Sequence, residues 1–423
     1  MKVDRGTALA YGVLGLPLAF AALPIYVHVP KLYADGLGLP LALVGGVLLG
    51  VRVLDALADP LIGWASDRFA ARRAWIVAAL PLLAFGLVGL LAPPADAGAG
   101  WLALLIVIVT LGYSIASINY HAWGAELADT SAGRTRLVAS REGFALAGVV
   151  LAAGLPSVLG GNEVVALGML GWSFPVLLAL GAACTLVFAP GGVVARDSHA
   201  PLRVALRAAL RHRPFASLLG VFAVNGIAAA IPASTVLFFI ADVLQAEAQA
   251  GLFLVLYFAA GAASMPLWVA VSQAVGKLAA WLLGMLLAIA VFVWAAMLGP
   301  GELLAFACIC VLSGIALGAD LVLPPAILAD LLARDSAAEP RAGAWFGWWN
   351  FVAKANLALA AGLALPLLDG LGYAPGTRDA AGLAGLAAVY ALLPVGLKLC
   401  AAAALWRVRG DLDCGEEGRC VRC

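Results

Sequence analysis

The chain has 423 residues, of which 64% are hydrophobic and only 12% charged, and its net charge is +1. Soluble domains run near half apolar and about a quarter charged. This composition, with a mean hydropathy of +1.03, therefore excludes an ordinary soluble enzyme or nucleic-acid-binding protein and points to a chain that crosses a membrane many times.

Apolar runs of about 18 or more residues are candidates for spanning helices. Twelve occur, at roughly 8–29, 40–65, 74–93, 100–123, 142–160, 164–190, 214–240, 249–272, 278–298, 303–329, 343–368 and 382–405. Helices are the expected form because each satisfies its own backbone in lipid, and prolines such as Pro17, Pro81 and Pro324-Pro325 are tolerable in such bundles. The first run has a basic start and an Ala19-Phe20-Ala21 site resembling a signal cleavage site. It is too long for a signal-peptide core and eleven runs follow, so it is read as a helix.

Orientation follows from Lys and Arg in the connections. With both termini in the cytoplasm, the inner segments carry 20 of the 25 and the outer ones only Lys31 and Arg378, while Arg52, Lys354 and Lys398 lie inside spans. The expected organisation is a six-span bundle over 1–190, a cytoplasmic linker over 191–213, a second six-span bundle over 214–406 and a cytoplasmic tail over 407–423. In the linker, Arg203, Arg207 and Arg211 are spaced four apart, which makes either a basic helical face for an anionic leaflet or a solvated connection.

The halves echo each other. "PLIGWASD" at 60–67 and "PLWVAVSQ" at 266–273 match at an offset of 206, as expected of a chain built by internal repetition. At that offset Arg52 corresponds to Phe258, Asp55 to Gly261 and Asp59 to Met265, so the charges belong to the N-terminal copy alone.

Charges inside hydrocarbon are costly and face the protein interior. Asp55 and Asp59 are four apart on one face of the second span, with Arg52 one turn earlier. Asp320 in span ten and Lys354 in span eleven lie at similar depth, and this set of five sums to one negative charge. A single Na⁺ or H⁺ would neutralise it, and hard cations take oxygen ligands. The alternative is that the charges pair with one another to lock helices. Asp67, Arg68 and Arg72 fall at the inner loop after span two. There the aspartate suits the N-terminal amides of the next helix, and a gating role stands beside plain loop charge. Arg134, Arg141, Asp330 and Arg341 mark the same inner boundary and complete the candidate cytoplasmic gate.

Polar and aromatic residues at depth are candidates for a solute cavity: Asn119, Tyr120, His121 and Trp123 in span four, Asn225 in span seven, and Trp345, Trp349 and Asn350 in span eleven. Asn350 and Lys354 share a face. Each Trp is otherwise an interface anchor, and His121 is either proton-linked or a helix–helix hydrogen-bond partner. Cys414, Cys420 and Cys423 in the tail are read as incidental, with zinc binding or lipidation as alternatives. No motif for a cofactor or for enzymatic chemistry is present.

Three blocks carry a family resemblance: "RVLDALADPLIGWASDR" (52–68), "NYHAWGAELADTSAGRTRLVASREGF" (119–144) and "GADLVLPPAILADLL…RAGAWFGWWNFVAKANLAL" (318–359). They resemble the glycoside–pentoside–hexuronide:cation symporters, the melibiose-permease-like branch of the major facilitator superfamily, over nearly the whole chain. The resemblance implies an all-α membrane protein of twelve helices in two pseudo-symmetric bundles, both termini cytoplasmic. It also implies cation-coupled symport of a small organic solute in the cell membrane by a monomer. By the match Asp55 and Asp59 take the cation-site role, and Lys354 links cation and solute sites. Two departures stand out: the family's span-one Asp aligns with Ala19, and its span-four Asp with Ser117, which joins the expected cation site. Fewer acceptors shift the expected solute from a sugar toward an amphiphile such as a lysolipid, and leave an uncoupled flippase or scramblase as the alternative.

Overall fold

The structure is a computed structural model that describes residues 3–69, 71–159, 163–191, 201–334 and 342–412; among the described residues the regular structure is helical, with no strand. The chain divides into two compact units, residues 1–209 with 332–351 and residues 210–331 with 352–423. Unit 1 contains α1 (Arg5–Gly12), α2 (Gly15–Lys31), α3 (Leu41–Phe69), α4 (Arg72–Leu91), α5 (Ala99–Leu127), α6 (Ser131–Leu159) and α7 (Glu163–Phe188). The short α8 (Leu202–Arg211) runs across the boundary. Unit 2 contains α9 (Arg213–Phe238), α10 (Ala250–Val275), α11 (Lys277–Phe292) and most of α12 (Leu303–Arg334). Helix α13 (Ala342–Gly370) is shared, with residues up to Phe351 grouped in unit 1 and the remainder in unit 2; α14 (Ala380–Ala387) and α15 (Leu393–Leu412) complete unit 2.

Among the described residues eleven helical stretches are long and apolar enough to cross a membrane, where twelve are expected. The missing one is α3. It is 29 residues long but carries Arg52, Asp55, Asp59, Asp67 and Arg68, so apolarity alone does not qualify it and its passage depends on hiding charge within protein. Elsewhere the helices turn large apolar side chains outward, Trp172, Leu180 and Val187 on α7 among them, an exterior suited to lipid.

The first span is broken for a visible reason. Pro17 has no N–H to give to Val13, and Leu16 donates to that carbonyl instead at 3.1 Å. Thr185 of α7 repairs the break: its hydroxyl accepts from Leu14 N at 3.1 Å and donates to Ala10 O at 2.8 Å. A second irregularity follows α2, where the chain widens into a π-turn at Leu32–Gly36; the same turn follows α9 at Phe239–Val243. The bonds that leave these turns, Leu39 N to Tyr33 O and Ala246 N to Ile240 O, are likewise 207 residues apart. The repetition in sequence therefore extends to a departure from ideal backbone geometry.

Close packing of α4 on α5 rests on glycine. A Cβ on Gly86 would stand 2.7 Å from Val109 Cβ and 2.9 Å from Val109 N, backbone that cannot give way. Small residues at such crossings let helices approach where no hydrophobic force drives them together. Replacing Gly86 by Leu is expected to cost about 1–3 kcal/mol through overpacking, read as a lower unfolding temperature in detergent. Gly100→Ala, where a Cβ meets open space, is expected to leave that temperature unchanged.

Candidate functional site

Helix α3 sorts its residues by face. Leu54, Leu57 and Leu61 are exposed at 64%, 56% and 46%, whereas Asp59 is 0% exposed and Asp55, Ser66 and Asp67 are buried. The carboxylates therefore point into unit 1. Spacings of three, four and seven residues from Arg52 through Asp55 and Asp59 to Ser66 keep this polar column on one side of the helix.

Helix α5 meets the column with hydroxyls. Ser114 Oγ donates to Asp55 Oδ1 at 2.8 Å. Ser117 does not take this place; its hydroxyl accepts from Asn350 Nδ2 of α13 at 3.1 Å. Ser114 is one turn nearer the start of α5, and its position in "TLGYSIAS" with Thr110 and Ser117 at helical spacing is the signal that the sequence reading passed over. A cavity of about 250 Å³ opens beside Asp55, lined also by Arg52 and Thr110.

Lower on α3, glycines bring α13 against it. Gly63 and Gly343 would each press a Cβ onto the other's carbonyl oxygen, and a Cβ on Gly347 would lie 2.6 Å from Asp59 O. Gly343 and Gly347 are four apart, the small-x₃-small spacing of close helix pairs. This approach lets Asp67 accept from Gly343 N and Ala344 N, both at 2.7 Å. The expectation that Asp67 serves the next helix in sequence is corrected: its amides are those at the start of α13, whose N-terminal dipole favours a carboxylate. Arg72 binds the same acid at 2.7 Å and Glu126 at 2.9 Å. It also donates to Ser66 Oγ, which donates to Asn119 Oδ1.

The other gate candidates disperse. Arg68 is exposed, its guanidinium 5.7 Å from the Trp64 ring centroid. Arg134 is buried and donates to Ala128 O at 2.8 Å. Arg141 is buried and holds Glu142 at 2.6 Å, while Asp330 pairs with Lys277 in unit 2 at 2.6 Å. Arg341 and the three tail cysteines lie outside the described residues.

Several cavity candidates prove to be helix contacts. Asn119 is fully buried and ties α5 to Ser66. Tyr120 and Tyr11 exchange hydrogen bonds, each hydroxyl donating to the other's backbone carbonyl. Trp123, Trp345 and Trp349 are buried rather than interfacial, and Arg73 stacks 5.5 Å from the Trp123 ring. His121 is half-buried, edge-on to Phe346 at 5.7 Å, and its Nδ1 has no hydrogen-bond partner among the described residues.

In unit 2 Asp320 Oδ2 accepts from Lys398 Nζ at 2.7 Å. Its Oδ1 accepts from Asn225 Nδ2 at 3.0 Å and Trp281 Nε1 at 2.9 Å, and Lys398 also donates to Asn225 Oδ1 at 2.8 Å. Four helices thus converge on one buried ion pair. Lys354 lies half-buried on α13 in unit 2. In unit 1 Arg52 and Asp55 line the same cavity.

A family model described as MFS/sugar transport protein matches residues 8–411 of the chain. The inner membrane symporter YicJ of Escherichia coli strain K12 is 32% identical over 145 residues, 31% of this chain and 31% of that protein. The uncharacterized symporter sll1374 of Synechocystis is 30% identical over 176 residues, 37% of this chain and 32% of that one. The matched region thus spans under a third of each curated relative. Among solved structures, a bacterial homologue of the iron transporter ferroportin superposes with a TM-score of 0.71 at 16% identity, covering 96% of this chain and 99% of that one. The Escherichia coli fucose:proton symporter does so with 0.70 at 12% identity, covering 95% and 99%. At these identities the likeness is one of fold.

The geometry predicts that Arg72 is the structural centre of the inner end of α3. Arg72→Met leaves buried Asp67 and half-buried Glu126 without their shared cation and is expected to cost about 3–5 kcal/mol, visible as a large fall in unfolding temperature. Arg68→Ala, which removes only a surface stacking contact, is expected to leave that temperature unchanged.

Proposed function

The chain belongs to the MFS/sugar transport protein family, and from that premise we propose that it is a secondary transporter in the cell membrane. In this reading it moves a small organic solute together with Na⁺ or H⁺ by alternating access, as a monomer. The observation that carries the reading is the burial of Asp55 and Asp59 one turn apart on α3. Two carboxylates on one face at this depth are the kind of group that a mobile cation complements. Asp55, with the hydroxyls of Ser114 and Thr110 near it, supplies the oxygen donors such an ion takes. The cavity beside Asp55 gives the ion room to arrive.

An amphiphilic solute fits better than a free sugar. A sugar hydroxyl left unmatched in a buried site costs roughly 1–3 kcal/mol. Ala19 offers no acceptor in span one, Ser117 is engaged with Asn350, and Asn119 and Tyr120 are committed to helix contacts. The same commitments favour a second reading, an uncoupled flippase or scramblase of lysolipid-like amphiphiles that keeps the family's fold.

Uptake into proteoliposomes separates the two. Under coupled transport Asp59→Asn abolishes accumulation against a gradient while solute counterflow persists. The lost coupling corresponds to about a 5- to 150-fold change in solute affinity with the ion present. Accumulation that survives in Asp59→Asn overturns coupling through α3. Flux of a fluorescent lysolipid that is indifferent to Na⁺ and pH supports the second reading, and strict ion dependence of that flux excludes it.

A further inference from the structure

Unit 2 encloses a cavity of about 170 Å³. Its walls are mainly apolar and aromatic, with Phe253, Tyr257, Phe258, Phe292, Ile309 and Tyr390 prominent, and Asp320 and Lys398 also border it. At the repeat offset of 206 this is the counterpart of the charged cavity of unit 1. Leu48 there corresponds to Leu254 here, Arg52 to Phe258 and Thr110 to Ala316, and all six of these residues line their respective cavities. The space is present in both halves while its chemistry differs.

The polar groups of the unit 2 cavity are unevenly satisfied. Asp320 already accepts three hydrogen bonds and Asn225 is tied to both members of the ion pair. Lys398 has three ammonium hydrogens and places two of them, on Asp320 and Asn225. The hydroxyls of Tyr257 and Tyr390 make no hydrogen bond among the described residues. Three donors thus belong to residues that line one mainly apolar space, and an accepting oxygen within it would match them.

We propose that this cavity binds a small uncharged amphiphile, with a single ring or short alkyl chain as its body and one hydrogen-bond-accepting oxygen as its head. Size sets the body, since an apolar cavity of about 150 Å³ holds one benzene ring. The donors set the head: a ketone, ester or alcohol oxygen satisfies them. Charge excludes a carboxylate, because the Asp320–Lys398 pair is already neutral and an added anion would be buried without a counter-charge. Ala233 lines the cavity and is exposed, which places an entrance at that point of α9. The site stands on unit 2 alone and does not depend on the coupling ion.

Photolabelling of the purified full chain with a trifluoromethyl-diazirinyl benzyl alcohol, read by peptide mass spectrometry, tests this without any transport assay. Labels are expected on cavity-lining segments of α9, α10 and α15, suppressed by excess acetophenone and not by benzoate. Ala233→Trp is expected to suppress labelling at the entrance. The Tyr257→Phe/Tyr390→Phe pair removes only two oxygens, so folding is not at issue. It is expected to weaken acetophenone protection about five- to tenfold and leave protection by toluene unchanged. Labelling confined to other segments, equal protection by benzoate, or acetophenone protection unaltered by the double tyrosine variant overturns the proposal. Loss of Na⁺ or H⁺ coupling in Asp59→Asn bears only on the transport reading.

Discussion

A carboxylate cannot face hydrocarbon, and α3 carries two in its middle and a third near its end. Much of unit 1 is arranged around that constraint. Leucines on the outer face of α3 are exposed, while Asp55 and Asp67 turn toward α5 and the first turn of α13 and Asp59 is fully buried. Ser114 reaches Asp55, and two backbone amides with Arg72 hold Asp67. None of these bonds forms without close approach, and close approach requires glycine. Gly63, Gly343 and Gly347 remove the side chains that would separate α3 from α13, so the apolar seam and the polar column are one piece of design.

The two units meet the same problem differently. In unit 2 one acid, Asp320, is matched to Lys398 and fully hydrogen-bonded by Asn225 and Trp281, the arrangement in which a buried ion pair recovers its desolvation cost. In unit 1 Asp55 takes the Ser114 hydroxyl and Asp67 takes Arg72 and two backbone amides. Backbone and cavity are repeated between the halves, down to a π-turn after α2 and after α9, whereas the side chains that give each cavity its character are not. Such divergence on a duplicated frame lines the two cavities with different chemistry, charged in one and mainly apolar in the other.

The all-helical class was legible from the chain. Runs of apolar residues mark helices because lipid leaves the backbone no other partner. The four-residue interval between Asp55 and Asp59 places them on a shared face wherever the helix packs. The repeat was visible in "PLIGWASD" and "PLWVAVSQ", and the three family-like blocks lie within the region that the family model matches. The break at Pro17 was legible in principle as a missing N–H, but its repair by Thr185, some 170 residues away, was not.

Sequence by itself therefore determined which helices exist, that charges occur within them and which residues share a face, because helical periodicity and the intolerance of lipid for unpaired polar groups act locally. Only the tertiary structure decided the partners. Lys398 answers Asp320, Ser114 rather than Ser117 answers Asp55, and Asp67 caps α13 rather than α4. Each choice turns on a shift of about one helical turn or on which helix lies alongside. Hydropathy is blind to both, since a lysine or serine one turn away contributes equally to composition and presents itself to a different neighbour.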